Sequence, residues 1–214
     1  MTILALEFSS PQRSVAVWRA GGAVEIVEAG GRETNAFAMI ETVLAGAKIE
    51  REQVDVIAVG LGPGSYTGIR VALAIAQGWQ LARGVKLLGV GGVECLAAQA
   101  QAEKIFGRVS VVIDAQRNEF YLAAHEISAG GRKEIEPLRI VTREEVRSRA
   151  GAGEILVGPE VTRWFPTGKI LFPRAATLAW LARERDRFVP GEKLVPIYLR
   201  ETTFVKAARF PGAH

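Results

Sequence analysis

The spacing of apolar residues along the first half of the chain predicts a three-stranded start followed by alternating helices and strands. Continuous or alternating apolar runs predict the strands, and Gly21 and Gly22 supply the turn between the second and third. Phe37, Ile40 and Leu44 recur at helical spacing, which predicts an amphipathic helix. The predicted order is strands over 3–8, 14–18 and 23–28, a helix over 34–48, a strand over 55–59, a helix over 67–83, a strand over 86–90 and a helix over 93–102.

The second half of the chain repeats this order of elements. Thr142, with Glu145 three residues on, is typical of a capping box, and Gly151 is expected just after the end of that helix. The predicted elements are strands over 109–115, 119–127 and 134–141, a helix from 142, strands over 154–157 and 169–172, and a helix over 175–187.

Two tandem β-β-β-α-β-α units predict an α/β protein with duplicated domains. This order resembles the actin, hexokinase and Hsp70 (ribonuclease H-like) architecture, in which each domain has a mixed sheet. Glu7 and Asp114 stand at the ends of the two first strands. We expect domain one over 1–104 and domain two over 105–214, with a tail after 196 that is partly disordered or lies along a partner.

Composition narrows the class of protein. The chain has 214 residues, 49% of them hydrophobic, and 27 Lys and Arg against 23 Asp and Glu, with an isoelectric point near 9.5. This excess of cations permits an anionic partner such as RNA. The basic run at 183–187 and the arginines at 143, 147 and 149 are expected to be solvated helix faces. We expect packing, rather than base stacking, to explain the four tryptophans, Trp18, Trp79, Trp164 and Trp180.

Cysteine content and apolar run lengths exclude further classes. Cys95 is the only cysteine, which excludes an intramolecular disulfide and a cysteine-type zinc site. The start of the chain lacks the basic residues of a signal peptide, and no apolar run reaches the length of a membrane span. A cytoplasmic location is expected.

The stretch "GLGPGSYTG" joins a strand to a helix and allows two interpretations. Backbone N–H groups at a glycine-rich helix start suit a phosphate. However, the stretch matches neither the P-loop nor the dinucleotide-binding pattern, and it has no lysine. A tight turn with Thr67 as the N-cap explains it equally well. The residues concerned are Gly62, Pro63, Gly64, Ser65, Tyr66, Thr67 and Gly68.

The helix that follows is apolar nearly all round. From Val71 to Ala82 no side chain is charged, and Gln77 and Gln80 are the only polar ones. Burial within the chain's own core is one explanation, but a helix-to-helix contact with a partner is preferred. An Ala76→Glu change is then expected to abolish partner binding and spare the fold. The predicted interface comprises Phe37, Ile40, Leu44, Arg70, Ala72, Leu73, Ala76, Trp79 and Gln80.

Five motifs, in order along the whole chain, resemble the TsaB family of bacterial tRNA threonylcarbamoyladenosine biosynthesis proteins. They are "ILALEFSS", "AVGLGPGSYTGIRVALAIAQGWQLA", "GVGGVECLAAQ", "VVIDAQRNEFY" and "PIYLRE". The resemblance implies an actin-like fold and a non-catalytic partner of TsaD, which transfers threonylcarbamoyl to the adenosine next to the anticodon of tRNAs reading ANN codons. It also implies that the ATPase TsaE joins the complex and that the chain interacts with tRNA only indirectly. ATP or ADP would bind at the complex interface, and the chain would form a homodimer when alone.

Two positions depart from the family pattern. Glu7, Phe8 and Ser9 stand where the family usually has Asp-Thr-Ser, and a phenyl ring in place of the threonine hydroxyl argues against a phosphate at that turn. Asn35 and Ala36 replace a common His-Ser pair.

Counting the residues that catalysis needs argues against an enzyme. The only histidines are His125, in a strand, and His214, at the last position, so the two-histidine metal site of TsaD is excluded. No base is available for Ser65 as a nucleophile. The alternative is a small ATP-dependent phosphotransferase that uses a cleft between Glu7, residues 62–67 and Asp114.

Overall fold

The computed structural model describes residues 1–29 and 35–199, which form two five-stranded mixed sheets. In the first sheet the central strand β1 pairs antiparallel with β2 and parallel with β4, and the strand order is β3-β2-β1-β4-β5. The strands are β1 (Ile3–Glu7), β2 (Gln12–Arg19), β3 (Gly22–Ala29), β4 (Val56–Gly60) and β5 (Lys86–Val90).

The second sheet repeats the plan of the first. Its central strand β6 pairs antiparallel with β7 and parallel with β9, in the order β10-β9-β6-β7-β8. The strands are β6 (Gly107–Asp114), β7 (Glu119–Ser128), β8 (Gly131–Thr142), β9 (Ile155–Gly158) and β10 (Lys169–Ile170). The predicted α/β class with two mixed sheets is confirmed.

Helices cover both faces of each sheet. Within the described residues they are α1 (Ala36–Ala47), α2 (Tyr66–Arg83), α3 (Gly92–Ala102), α4 (Arg143–Gly151), α5 (Val161–Trp164) and α6 (Ala175–Ala182), with 3-10 turns at Arg51–Gln53 and Gly191–Lys193. None of the helices in this part of the chain is long and apolar enough to span a membrane.

Several predicted helix ends are wrong. Ser65, not Thr67, is the N-cap of α2, because its Oγ accepts the Gly68 N–H at 3.2 Å. Helix α6 ends at Ala182 rather than 187. Helix α5, a single turn, has too few residues for a periodic signal and was not predicted. The predicted residues 34 and 200–214 lie outside the described part of the chain.

The predicted cap of α4 is confirmed, although only half of the capping box forms. The Glu145 N–H donates to Thr142 Oγ1 at 3.3 Å, while the Glu145 carboxylate pairs with Arg139 and Arg149 instead of the cap backbone. Gly151 is the last residue of the helix rather than the one after it.

Helices α3 and α6 form the layer between the two sheets. Each of them packs on the sheet that the other half of the chain forms. Helix α3 packs Leu96 and Ala100 against β6, in the second sheet. Helix α6, from the second half, packs Leu178 and Ala179 against β1 in the first sheet. Because each half contributes a helix to the other's sheet, the two cores are interlocked. The division at residue 104 stays a prediction.

Buried hydrogen bonds fix the start of α6 against the first sheet. The Ala175 N–H donates to Ser14 Oγ at 2.8 Å, and the Ala176 N–H donates to Glu25 Oε1 at 3.0 Å. From α3, the Gln99 amide donates to the Phe172 carbonyl at 2.7 Å and accepts the Arg174 N–H at 2.9 Å. These bonds satisfy backbone groups that a helix start otherwise leaves without partners.

A Ser14→Ala change is expected to lower the free energy of unfolding by about 1–3 kcal/mol, because it leaves the buried Ala175 N–H without an acceptor. Urea denaturation followed by circular dichroism measures this loss. Ser148→Ala, at an exposed position on α4, is the control and should change stability little. Equal stability of the two variants would show that the Ser14 bond contributes nothing.

Candidate functional site: the outer face of the first helical pair

The outer face of the first sheet is covered by α1 and α2, which were predicted to bind a partner. Ala72, Leu73 and Ala76 of α2 are buried against this sheet, as are Ile40 and Leu44 of α1. The small residues of α2 allow it to approach the sheet closely. The prediction that these five residues are open to a partner is therefore corrected: they belong to the chain's own core.

Other residues of the same helices form the exposed surface. Leu81 is 89% exposed and Phe37 is 65% exposed, although both are large and apolar. Ala74, Gly78 and Ala82 follow each other at intervals of four, so they share one face of α2. We call these five residues, with the groove that all of them except Leu81 line, the α1–α2 surface. The i, i+4, i+8 spacing places these three small residues on one face, but Ala72 and Ala76 are also four apart, so spacing alone does not identify the exposed face.

A groove of about 560 Å³ runs between α1 and α2. Two ion pairs lie along it, one between Glu41 and Arg51 and one between Glu52 and Arg83, the second at 2.8 Å. The half-buried Trp79 packs on the core and borders the groove. The lining residues are Phe37, Ile40, Glu41, Arg51, Glu52, Ala74, Ile75, Gly78, Trp79, Ala82 and Arg83.

The two glutamines of α2 bind a segment of this chain rather than facing outward. Gln80 Oε1 accepts the Gly191 N–H at 2.7 Å, and Gln77 Nε2 donates to the Gly191 carbonyl at 2.8 Å. Gln80 Nε2 also donates to the Val85 carbonyl at 3.3 Å. Gln80 therefore has its polar groups occupied internally, which corrects its predicted place in the interface.

At the N-terminal end of α2, Arg70 is exposed among aromatic rings. Its guanidinium lies 4.1 Å from the Tyr66 ring centroid, and Tyr66 stacks on Tyr198 with centroids 5.7 Å apart. The chain near residue 198 therefore lies beside the start of α2 and extends the exposed aromatic surface there.

Close packing explains the glycines of the turn before α2. A Cβ on Gly64, whose φ is +150°, would lie 2.1 Å from the Ser9 carbonyl oxygen, and one on Gly68 would lie 1.9 Å from the Phe8 carbonyl oxygen. The Ser65 N–H also donates to the Ser9 carbonyl at 2.7 Å. The turn therefore presses directly on the end of β1, and a bound phosphate is not needed to account for these glycines.

A cleft of about 530 Å³ separates this turn from the second half of the chain. Asp114 lines it, and its Oδ1 accepts the Gln116 N–H at 2.7 Å. Arg13 is the basic residue in the lining; the full set is Ser9, Ser10, Pro11, Arg13, Gly64, Ser65, Tyr66, Thr67, Ile113, Asp114, Gln116, Pro159 and Glu160.

Glu7 does not reach this cleft. Its side chain is fully buried on the β1 face that also carries Ile3 and Ala5, beside Gly60. Glu7 Oε1 accepts the Ser9 N–H at 2.7 Å, and Oε2 has no partner among residues 1–29 and 35–199. The alternative in which Glu7 shares a cleft with residues 62–67 and Asp114 is therefore corrected, because Glu7 does not line it. The carboxylates that do line the cleft are Asp114 and Glu160.

Burial raises the pKa of Glu7, against a smaller lowering by its bonds to Ser9. The raised pKa means that the protonated carboxyl stabilises the fold fully below its ordinary pKa of 4.5, and this stability is lost as pH rises through the folded-state pKa. Glu7→Gln, which resembles the protonated acid, is therefore expected to raise the melting temperature at pH 8 and to change it little at pH 4. Thermal unfolding across this pH range measures the difference, with the exposed Glu103→Gln as control. A Glu7→Gln variant with the wild-type pH profile would contradict the effect.

Other reactive side chains are buried in the core. Burial raises the pKa of the Cys95 thiol well above its ordinary value and lowers the pKa of His125. Across the described ranges no three His, Cys, Asp or Glu side chains come together in a way that could hold a metal ion. Ser65 Oγ is occupied as a helix cap.

The two departures from the family pattern have structural roles. Asn35 Oδ1 caps α1 by accepting the Phe37 N–H at 3.1 Å and the Ala38 N–H at 3.2 Å. Phe8 is fully buried in the core beneath α1 and α2. Both replacements therefore support the layer on which the α1–α2 surface is built.

Comparisons with known proteins agree with the two-sheet architecture. The chain shares the tandem duplicated actin-like fold, and residues 19–184 match the family model "TsaD: tRNA N6-adenosine threonylcarbamoyltransferase". Among solved structures, YeaZ from Pseudomonas aeruginosa has a TM-score of 0.78 at 29% identity, covering 92% of this chain and 99% of that one. A second P. aeruginosa structure, of an uncharacterized protein with similarity to peptidase YeaZ, has a TM-score of 0.79 at 30% identity, covering 93% of this chain and 99% of that one.

Curated relatives define the family within this class. The tRNA threonylcarbamoyladenosine biosynthesis protein TsaB of Escherichia coli is 28% identical over 99% of both chains. TsaB of Bacillus subtilis is 26% identical over 94% of both. The chain belongs to the TsaB family.

Proposed function

We propose that this chain is a non-catalytic subunit that binds and activates TsaD. The reaction is threonylcarbamoyl transfer to the adenosine next to the anticodon of tRNAs that read ANN codons. TsaE joins through the complex, and the chain forms a homodimer when TsaD is absent. Membership of the TsaB family and the match to the TsaD family model support a role in this biosynthesis.

The α1–α2 surface is the observation on which the proposal depends. Leu81 and Phe37 leave large apolar side chains in water, which is unfavourable by about 25 cal/mol per Å² of apolar area. Exposed apolar patches of this kind typically mark sites of protein association. A partner that covered them would recover this free energy.

The shape of the α1–α2 surface favours a helix as the binding element. Ala74, Gly78 and Ala82 leave a shallow groove along α2, and a Cβ on Gly78 would meet no atom within 4 Å. Side chains of a partner helix can enter such a groove as ridges between the rows of this one. Because TsaD and a second copy of this chain are expected to use the same surface, the two would compete for it.

The charged pairs beside the groove are suited to fixing the orientation of a bound partner. Glu41 with Arg51 and Glu52 with Arg83 have side chains between 38% and 62% exposed, so they can exchange partners on binding. Charges at the rim of an interface contribute mainly to specificity and to the association rate. We therefore assign the affinity to the apolar groove and the alignment to these pairs.

The test is to mix this chain with TsaD from the same organism and to measure mass by size exclusion with light scattering, with and without ATP. A one-to-one complex that restores threonylcarbamoyl transfer to unmodified tRNA is expected. Activity of TsaD that does not depend on this chain, or the absence of a complex in every condition, would overturn the proposal.

A further inference from the structure

A second groove lies on the other side of the first sheet, between α3 and α6. It measures about 550 Å³ and is separated from the α1–α2 surface by the sheet itself. Small and uncharged residues dominate its lining. They are Ala98, Gln101, Ala102, Ala129, Ala176, Thr177 and Trp180.

Trp180 leaves its ring at the surface of this groove. It is 41% exposed, whereas Trp164 packs edge-on against Phe120 in the second-sheet core. Packing therefore covers only part of Trp180, and the prediction that packing rather than base stacking explains the four tryptophans stays a prediction at this residue. An exposed indole presents a flat apolar area that water solvates poorly.

Two arginines lie against the Trp180 ring. The Arg183 guanidinium is 4.5 Å from the ring centroid and that of Arg132 is 5.5 Å from it. Arg132 is oriented by a neutral group, because it donates to Gln101 Oε1 at 3.1 Å, while Gln101 Nε2 donates to the Ser128 carbonyl at 3.1 Å. Both cations therefore lie over part of the ring, and the bonds through Gln101 hold Arg132 in that position.

The charge of these arginines is largely uncompensated. Within the described residues no carboxylate lies within ion-pair distance of Arg132. Arg183 pairs with Glu184 at 2.8 Å, but the Glu184 side chain is 72% exposed. Such a surface pair is weak and is easily exchanged for another anion.

We propose that this groove binds single-stranded RNA, with an unpaired base against the exposed part of the Trp180 ring and the adjoining phosphates held by Arg132 and Arg183. An aromatic ring flanked by cations is the arrangement with which proteins hold unpaired bases, because each nucleotide has a π-face and a negative charge. Phosphate would replace Glu184 as the partner of Arg183. Only the choice of RNA over DNA rests on the proposed function.

The experiment measures fluorescence anisotropy of a labelled oligouridylate, and of unmodified tRNA, titrated with the full chain at low salt. Trp180→Ala is expected to weaken binding by about 5- to 150-fold, the usual effect of losing one stacked base. Trp180→Phe, which keeps an aromatic face, should retain most of the affinity. Phe106→Ala is the matched control, because Phe106 is also 41% exposed and, in the described ranges, no arginine stacks on it.

Salt dependence tests the phosphate contacts separately. Arg132→Ala should reduce the slope of log affinity against log salt by about one, whereas Arg147→Ala, at an exposed position on α4, should not. Equal losses for Trp180→Ala and Phe106→Ala would overturn the site. Unchanged RNA binding by Trp180→Ala, together with a weaker complex with TsaD, would also overturn the site. That result would show that the groove is a protein contact. If the chain failed to form a complex with TsaD in the mixing experiment, the RNA-binding result at this groove would still stand.

Discussion

Replacing Gly78 with arginine is expected to weaken the complex with TsaD at least about a hundredfold, a loss on the scale of an interface hot spot. Gly78 lies in the middle of the small-residue row on α2, where a Cβ meets no atom of this chain. The arginine side chain would fill the groove and would place an unpaired charge in an apolar contact, which is costly. Isothermal titration calorimetry with TsaD measures the effect.

Stability separates this loss of binding from unfolding. Gly78 is exposed inside a helix, and arginine is the better helix former by about 0.5–1 kcal/mol, so the melting temperature should hold or rise slightly. Ser148→Arg, on α4, makes a similar change at an exposed site away from the surface, and should bind TsaD normally. If Gly78→Arg bound TsaD as the wild type does, the contact surface would lie elsewhere.

The order and type of the long elements could be predicted from the sequence because their periodicity is local. Strand β5 has the predicted bounds, Lys86–Val90, and α2 has the predicted end. Its start was misplaced because Ser65 and Thr67 are both good caps, and only the position of the chain against β1 decides between them.

The orientation of α2 could not be predicted, since its sequence is apolar nearly all round. Ala72 and Ala76 face the sheet while Ala74 and Gly78 face water, yet all four are small. A helical wheel separates the two groups but does not say which group is covered. That choice depends on how the helix crosses the sheet, which is a tertiary property.

Glu7 shows a similar division between local and tertiary information. Alternation along β1 places Glu7 on the face of Ile3 and Ala5, and this could have been read from the sequence. What covers that face is not local, because α3 and α6 come from different halves of the chain. The exchange of these helices buried an acid that was expected in the cleft.

Ala76→Glu is expected to destabilise the fold by more than about 4 kcal/mol, and so to leave little folded protein, contrary to the prediction from sequence that it would spare the fold. Ala76 is fully buried between α2 and the first sheet. A glutamate there would need new volume in a packed core and would carry a charge, or an unpaired carboxyl, into apolar surroundings. Circular dichroism and urea unfolding measure the loss.

The neighbouring Ala74→Glu is the matched control, because Ala74 is two residues away on the same helix but is exposed. It should fold normally and still impair TsaD binding, since it introduces a charge into the groove. The two variants therefore distinguish the faces of α2. A glutamate on the face against the sheet unfolds the chain, and a glutamate on the exposed face impairs binding to TsaD. If Ala76→Glu folded normally and lost only the complex, the inner and outer faces of α2 would have been assigned the wrong way round.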